Sequence, residues 1–448
     1  MTRESRGMAG KLAVLFGIWL FAMMFCNDMT NYGSVKLGIN IRLDRIIYVV
    51  LLLTFAVEYS RQRNSIPRNR EEGFMFLFFM ICLGSCIIFG AITAPNNRYL
   101  SQLINFALIP ATLFAMARRA AFDARSIMVM CRILKLVGIY LAFTAIFEHY
   151  GVTSLVFPKY ILDPSVGLQF GRSRGPFGSS VVMGGALTIV FFWVLWEQMN
   201  LKKSWVNILL LLLTPISIYF TDTRSCWLFF AGSLLVLLVF SKELRKPCKW
   251  IFIALVLLYF SGTASKFSAY KETLFSRRQG PVNDRKNIYY ASFRMFLAKP
   301  VLGFGYGNYL RESGAFFTEI EGVELRGEGE GQHNTLLGVL SEMGLVGAIP
   351  FCGILYLLIR TCLKAYRSCP LELQLERSFA ATQVSLLLGL AVYMQFTDIR
   401  FYSFINSLMF WMTGMVYSIS RPSGNEGALT GRENWTSLAI VQNVGNAR

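Results

Sequence analysis

The stretch VNILLLLLTPISIYFTDTRSCWLFFAGSLLVLLVF, residues 206–240, decides the fold class of this chain. It consists of two apolar runs with a short polar turn between them, and Asp222 and Arg224 in that turn are its only charged residues. A helix needs about 20 mainly apolar residues to cross the hydrocarbon core of a bilayer. Each run approaches this length once its polar flanks are included. The stretch therefore predicts two membrane-spanning helices joined by a tight turn.

The same alternation of apolar runs and charged boundaries continues along the chain. Hydrophobic residues make up 54% of the 448 residues and charged residues only 16%, and the mean hydropathy is +0.47. Soluble domains have about 25% charged residues, so the composition excludes a soluble globular enzyme and a disordered chain. The predicted fold class is an all-α polytopic integral membrane protein with about 12 transmembrane helices. Their apolar cores begin near Leu12, Ile46, Gly73, Leu100, Ile127, Ser180, Val206, Cys226, Trp250, Gly344, Phe379 and Tyr402.

Basic residues predict the orientation of these helices. The formal net charge of +18 would suggest a nucleic-acid partner for a soluble protein, but in a multi-pass membrane protein excess Lys and Arg mark the cytoplasmic loops. We therefore expect no nucleic-acid partner, a lipid bilayer as the surroundings, and both termini in the cytoplasm. The segments with this excess contain Arg61, Arg63, Arg68, Arg70, Arg118, Arg119, Lys202, Lys203, Lys242, Arg245, Lys246 and Lys249.

One outer segment, between the predicted ninth and tenth helices, is far longer than the others. It contains many aromatic residues and a helix-like stretch from about Arg285 to Leu297. Loops of this length are either functional or disordered, and the aromatic residues favour a folded, partly helical loop. The predicted organisation is helices 1–9 in residues 1–264, the extracytoplasmic loop in 265–343, helices 10–12 in 344–420 and a cytoplasmic tail in 421–448.

The chain contains only two histidines, His149 and His333. His333 ends the long loop, where the glycine-rich run 327–332 meets the next apolar helix. A neutral imidazole, with an ordinary pKa near 6.5, can accept a proton from a hydroxyl group. His333 is therefore a candidate general base, and a water-facing cap residue is the alternative interpretation. His149, beside Glu148 at the outer end of the fifth span, is interpreted as an interfacial residue.

Several arginines lie on the predicted outer face, where basic residues are otherwise few. Arg172 and Arg174 lie between the fifth and sixth spans, and Arg224 lies in the tight turn quoted above. A charge near the hydrocarbon is costly, and the planar guanidinium fork suits phosphate oxygens. These arginines therefore indicate a polyanionic lipid headgroup such as a diphosphate. In the alternative interpretation Arg224 pairs with Asp222 and the other arginines extend into water.

The residues that follow the long loop form a known pattern. His333-Asn334, nine further residues and then Gly344-Leu-Val-Gly347 are similar to the signature of the O-antigen ligase and polymerase superfamily, in which His-Asn is followed after nine positions by Gly-x-x-Gly. Other pieces occur in the same order as in that family, namely Arg174-Gly-Pro-Phe177, Thr223-Arg224-Ser225, and Arg285 followed by the stretch 299–309.

One part of the pattern departs from the family. Gly178-Ser179-Ser180 stands where family members often have Asn-Pro-Asn after the Gly-x-Phe. Either Arg172 or Arg174 can therefore be the arginine that matches the family, and the sequence leaves this choice open.

The resemblance implies a glycosyltransferase that acts at the periplasmic face of the bacterial inner membrane. The implied donor is a glycan on undecaprenyl diphosphate. The implied acceptor is a sugar hydroxyl, on lipid A–core in a ligase or on another lipid-linked glycan in a polymerase. His333 would deprotonate this hydroxyl, with inversion at the anomeric carbon, while Arg172 or Arg174, Arg224 and Arg285 would bind the diphosphate.

Two further residues are candidates for supporting roles. Asn334 either orients the imidazole or caps the helix that follows, and Glu342 is a weaker candidate for orienting the histidine. No outward-facing acidic cluster in the sequence has the character of a metal site, so we expect a metal-independent reaction without a cofactor. The arginines then have to stabilise the charge of the leaving group.

The signature and the position of the long loop favour the ligase within this superfamily. A polymerase of O-antigen or exopolysaccharide and a protein-directed oligosaccharide transferase are the alternatives. A transporter or flippase is an alternative of a different class, since such proteins also have many helices. The sequence disfavours it because no internal repeat is evident and the connection after the sixth span is short.

Overall fold

The computed structural model describes residues 3–26, 30, 34–37, 39–61, 69–90, 98–201, 203–242, 244–251, 253, 282–370 and 373–419. The first half contains α1 (Arg3–Phe25), β1 (Ser34–Leu37), β2 (Ile39–Arg42), α2 (Leu43–Ser60), α3 (Arg70–Ile88), α4 (Arg98–Leu103), a π turn (Ile104–Leu108), α5 (Ile109–Arg119) and α6 (Ala124–His149). Then follow α7 (Ser180–Asn200), α8 (Trp205–Phe220), α9 (Arg224–Phe240), α10 (282–298), α11 (Tyr309–Glu312), α12 (Thr335–Ser368), α13 (Gln374–Tyr393) and α14 (Ser403–Ile419).

Eleven of the twelve predicted apolar cores coincide with these helices. Six helices of the described ranges are long and apolar enough to cross a membrane, and α8 and α9 are shorter apolar helices. The predicted ninth core, from Trp250, lies mostly outside the described residues, as does the predicted tail 421–448. The count of twelve therefore stays a prediction. Within the described ranges one antiparallel hairpin, β1 with β2, interrupts the helical pattern.

Three backbone and side-chain contacts bring several helix ends to one end of the bundle. The Ser173 N–H donates to the Phe220 carbonyl at the end of α8 (3.2 Å). The Tyr393 hydroxyl at the end of α13 donates to the Val181 carbonyl at the start of α7 (2.8 Å). The Thr335 N–H at the start of α12 donates to the Met394 carbonyl (2.9 Å). We call this end, where α12 begins, the His333 end.

The predicted sixth span, α7, lies at the centre of the bundle. Every residue of its most hydropathic window is buried, and it packs against α6, α8, α9 and α13. Because lipid is as apolar as these side chains, tight packing between helices stabilises such a bundle. On α7 Trp193 and Trp196 both pack on Phe379 of α13, with ring centroids 4.4 and 5.0 Å apart. These contacts fix α7 in the bundle, and its other end, at Ser180, lies at the His333 end.

A break in α12 joins the long loop to the bundle. Gly344 has φ +58° and ψ −155°, a conformation that is essentially restricted to glycine. The backbone of the loop takes over hydrogen bonds at this break, since the Leu345 N–H donates to the Pro300 carbonyl (2.9 Å) and the Gly305 N–H to the Glu342 carbonyl (2.7 Å). The glycine of the signature thus allows residues 300–305 to pack against the helix backbone.

Candidate active site

The backbone around His333 is fixed on both sides, whereas its imidazole is open to solvent. Asn334 caps α12 by accepting from the Leu337 N–H (2.9 Å) and donates to the Gln395 carbonyl (3.1 Å). The Tyr289 hydroxyl of α10 donates to the His333 carbonyl (3.2 Å) and the Gln395 carbonyl (2.9 Å). The His333 side chain keeps 36% of its surface exposed. A bound molecule can therefore reach the imidazole without a rearrangement of the backbone.

The surroundings of His333 favour its neutral form. Partial burial and the nearby positive charge of Arg285 lower its pKa from the ordinary value of 6.5, while the carboxylates of Glu330 and Asp398 oppose this effect. The Glu330 Oε2 atom lies 3.8 Å from Nε2 of the imidazole. An imidazole that is neutral at pH 7 can accept a proton, which is the requirement for a general base.

Arg285 lies on the exposed side of α10, one turn before Tyr289. Its charge acts on His333, Tyr289 and Tyr402. It is close enough to Tyr289 to oppose the effect of burial, which raises the pKa of that phenol. The structure therefore brings Arg285 and His333 together, although about 50 residues of sequence separate them.

Arg172 and Arg224 lie at the same end of the bundle, Arg172 in the connection between α6 and α7 and Arg224 at the start of α9. The Arg172 side chain is 42% exposed, and its Nε atom lies 4.0 Å from the Asp222 carboxylate. Arg224 is the first residue of α9 and is exposed. The alternative expectation of an Arg224–Asp222 pair does not hold, because Asp222 faces Arg172. Arg224 has no ion-pair partner among the residues that the structure describes.

Tyr402 lies in the turn before α14. It is within electrostatic range of Asp398, Cys226 and Arg285. Cys226 is two residues beyond Arg224 on α9, and its thiol also approaches the Tyr393 hydroxyl (3.9 Å). Arg224 also belongs to the His333 end, because the hydroxyl of the preceding Thr223 lies within hydrogen-bond distance of the Ser180 hydroxyl at the start of α7 (2.9 Å).

The expectation that Arg174 binds a diphosphate requires a correction. Its side chain is only 1% exposed. The guanidinium donates to the carbonyl groups of Ile161, Asp163 and Val166, while the Glu148 carboxylate accepts from the backbone N–H of Arg174 (2.9 Å). These bonds fix the connection between α6 and α7 and occupy the guanidinium. Arg172 is therefore the exposed member of the pair.

The expectation that Glu342 orients His333 also requires a correction. Glu342 is buried on α12 and accepts hydrogen bonds from the backbone N–H groups of Gly307 (2.9 Å) and Tyr309 (3.2 Å). Its carboxylate also accepts a hydrogen bond from the guanidinium of Arg400. Glu342 is nine residues beyond His333, about two and a half helical turns away, and its side chain contacts the loop rather than the imidazole.

Sequence reasoning missed three residues of this region: Tyr289, Asp398 and Arg400. The signal for two of them was present, because the turn Thr397-Asp-Ile-Arg400 repeats the Thr-Asp-x-Arg pattern of Thr221-Asp-Thr-Arg224. Both turns join the ends of two apolar helices. Arg224 of the first turn is exposed, whereas Arg400 of the second turn is buried. Tyr289 carried no signal, since it is one of several aromatic residues in the loop.

No group of three or more His, Cys, Asp or Glu side chains that could bind a metal ion occurs in the described ranges. Metal independence stays a prediction. The groups that can stabilise negative charge at the His333 end are the exposed guanidinium groups of Arg172, Arg224 and Arg285.

The fold and this site define a multi-pass helical membrane protein with a polar, cationic site at one end of its bundle. Residues 208–352 match the family model described as O-antigen ligase. This match confirms the resemblance to the O-antigen ligase and polymerase superfamily. The matched segment includes Arg224, Arg285, His333 and Glu342, whereas Arg172 and Arg400 lie outside it. A comparison with curated proteins finds no match.

Proposed function

We propose that the protein is a glycosyltransferase that moves a glycan from undecaprenyl diphosphate to a sugar hydroxyl of an acceptor, with lipid A–core as the favoured acceptor. The observation that carries this proposal is the partly exposed imidazole of His333, whose pKa is lowered by burial and by the positive charge of Arg285. The O-antigen ligase match over residues 208–352 supports the class of donor and of reaction.

In the proposed reaction the imidazole of His333 accepts the proton of the acceptor hydroxyl. The oxygen attacks the anomeric carbon of the donor as the bond from that carbon to the diphosphate oxygen breaks. The electron pair of this bond leaves with the diphosphate, and attack from the opposite side inverts the anomeric configuration. A positioned general base contributes about 10²- to 10⁴-fold to the rate of such a step.

The diphosphate is bound by Arg172, Arg224 and Arg285. Guanidinium groups form charge-assisted, often bidentate bonds with phosphate oxygens, and such groups stabilise charge that develops on a leaving group. Arg224 is also the first residue of α9, where the backbone N–H groups of the helix favour an anion. No metal ion is required in this proposal.

We place the site at the periplasmic face, with both termini in the cytoplasm and residues 265–343 as the catalytic loop. Lys203 supports this orientation, because it follows α7, which begins at the His333 end and runs away from it. Single cysteines in a chain without its native cysteines test it. Position 330 should react with an impermeant thiol reagent in intact cells after outer-membrane permeabilisation, whereas position 203 should not.

The transfer reaction is tested with purified protein in nanodiscs. The donor is a glycan on undecaprenyl diphosphate, and the acceptors are lipid A–core and a second lipid-linked glycan. His333→Ala should abolish transfer, while the matched control His149→Ala retains it, and a chelator should have no effect. Product on lipid A–core identifies a ligase and product on the lipid-linked glycan a polymerase. Full transfer by His333→Ala would exclude His333 as the base.

A further inference from the structure

A buried charged cluster lies behind His333. It consists of Arg400, Asp398, Glu342 and Gln332, and we call it the Arg400 cluster. The Arg400 side chain is 2% exposed. Its Nε and Nη2 atoms donate to Asp398 (2.9 and 2.7 Å), and the other donors of the guanidinium bind the side-chain oxygens of Glu342 and Gln332.

This cluster connects three parts of the chain that build the candidate site. Gln332 directly precedes His333, Glu342 binds the loop backbone at Gly307 and Tyr309, and Asp398 lies in the turn between α13 and α14. Although burial by itself would lower the pKa of Arg400, the carboxylates of Asp398 and Glu342 raise it well above its ordinary value. Arg400 therefore stays charged.

Gly338 of α12 provides the space for this arrangement. A Cβ atom at this position would overlap with Oε1 of Gln332 and with the guanidinium of Arg400. The helix and the cluster therefore pack in direct contact, and the position of Gln332 is fixed relative to α12.

The charged and titratable groups that face His333 come from three elements. Glu330 belongs to its own loop, Arg285 and Tyr289 belong to α10, and Asp398 belongs to the turn before α14. Asp398 is buried, and its turn is held two residues from His333, because the Ile399 N–H donates to the Thr335 Oγ1 atom (3.0 Å) and this hydroxyl donates to the Thr397 carbonyl (2.8 Å). A buried charge is screened much less by salt and water than an exposed one.

We propose that Arg400 and Asp398 are positioning residues for His333: Arg400 fixes the segment 332–334 through Gln332, and the Asp398 carboxylate that it orients stabilises the imidazolium that forms during transfer. This inference rests on the proposed function of His333. It assigns no contact with substrate to either residue. Arg400 and Asp398 act on the orientation and the basicity of the imidazole.

The titration of His333 tests this proposal without the need for activity. Because the chain has two histidines, the protein with ¹³C-labelled histidine gives two imidazole signals. Asp398→Asn should lower the pKa of His333 by about half a unit or more and leave that of His149 unchanged. The control Glu324→Gln removes an exposed loop carboxylate and should move neither signal. An unchanged His333 titration in Asp398→Asn would overturn the electrostatic role.

A second variant keeps the proposal testable if Asp398→Asn does not fold. Gln332→Met removes the acceptor for Arg400 but keeps both charges. It should lower kcat about 10-fold, part of what a positioned base contributes, with the donor KM unchanged. Gln332→Glu, which again offers Arg400 an oxygen, should restore most of this loss. Wild-type kcat in Gln332→Met would overturn the positioning role.

The outcomes separate this inference from the proposed function. If His333→Ala abolishes transfer and the titration of His333 does not respond to Asp398→Asn, only the inference fails. If wild-type protein transfers no glycan and the titration responds, the proposed function fails, and of the inference only the electrostatic effect of Asp398 on His333 holds.

Discussion

The hydroxyl of Tyr289 donates a hydrogen bond to the backbone carbonyl of His333, with an oxygen–oxygen distance of 3.2 Å. Tyr289 lies one turn beyond Arg285 on α10. The single proton of this hydroxyl is shared with the Gln395 carbonyl (2.9 Å), two residues beyond the end of α13. One phenol thus links the helix that carries Arg285 to the residue that we propose as the base. The separation of these two residues depends on it.

Loss of this hydroxyl should slow transfer without loss of the fold. A hydrogen bond of this type contributes about 1 kcal/mol, so Tyr289→Phe should lower kcat/KM by roughly 5-fold. Steady-state transfer assays measure the change. The neighbouring Tyr290→Phe serves as the matched control, because Tyr290 is exposed and contacts Arg294. Equal activity of both variants would contradict a role for the Tyr289 bond.

The pH dependence of transfer should follow the titration of His333. Only the neutral imidazole accepts a proton, so activity is present above the pKa of His333 and is lost as the pH falls through it. Because burial and Arg285 lower this pKa, the acidic limb of kcat/KM should lie below pH 6.5.

Removal of the Arg285 charge should move the acidic limb of kcat/KM to higher pH. In Arg285→Gln the pKa of His333 rises, so activity is lost at a higher pH than in the wild type, in addition to a lower maximum. Arg311→Gln is the control, since Arg311 is an exposed loop arginine that pairs with Glu312. A limb at the wild-type position in Arg285→Gln would argue against electrostatic contact between the two residues.

Substitution of the two neighbouring arginines should have different effects. Arg172→Gln should raise the donor KM about 10-fold or more, because a hydrogen bond to a charged group contributes about 1.5–3 kcal/mol, and should leave the melting temperature unchanged. Arg174→Gln leaves the buried carbonyl groups of Ile161, Asp163 and Val166 without their donor and removes the positive charge near Glu148. It should destabilise the protein by about 3 kcal/mol. Donor titrations and thermal unfolding measure the two effects. A higher donor KM in Arg174→Gln, with lower stability in Arg172→Gln, would identify Arg174 as the ligand instead.

The break in α12 should tolerate only glycine. A Cβ atom at position 344 would overlap with the carbonyl of Val301, and the backbone conformation itself costs about 1–3 kcal/mol for other residues. Gly344→Ala should therefore lower the melting temperature and the yield of folded protein. Gly84→Ala in α3, where a Cβ meets nothing within 4 Å, should be neutral or slightly stabilising. Similar stability of the two variants would contradict this account.

The helices and part of the site could be predicted because charged residues stand out in an apolar sequence. Eleven predicted cores coincide with described helices, and His333, Arg224 and Arg285 lie at one end of the bundle. The choice between Arg172 and Arg174 could not be predicted. It depends on where the carbonyl groups of Ile161, Asp163 and Val166 meet, and this is decided by the folded connection between α6 and α7.

The positions of Glu342 and Arg400 depend in the same way on the tertiary structure. The two Thr-Asp-x-Arg turns look alike in sequence, but only the second meets a carboxylate from another helix. The sequence gives the spacing between His333 and Glu342. It does not show which helix or loop packs against each of these side chains. Hydropathy also does not distinguish a central helix such as α7 from one in contact with lipid.

The break in helix α12 gives a structural reason for the nine-residue spacing of the signature. Residues 335–343 form a short helical segment between the N-cap residue Asn334 and the helix break at Gly344. One residue more or less in this segment would rotate the imidazole by about 100° around the helix axis, away from Arg285. We therefore expect the length of this interval to be constrained by the position that His333 takes relative to Gly344.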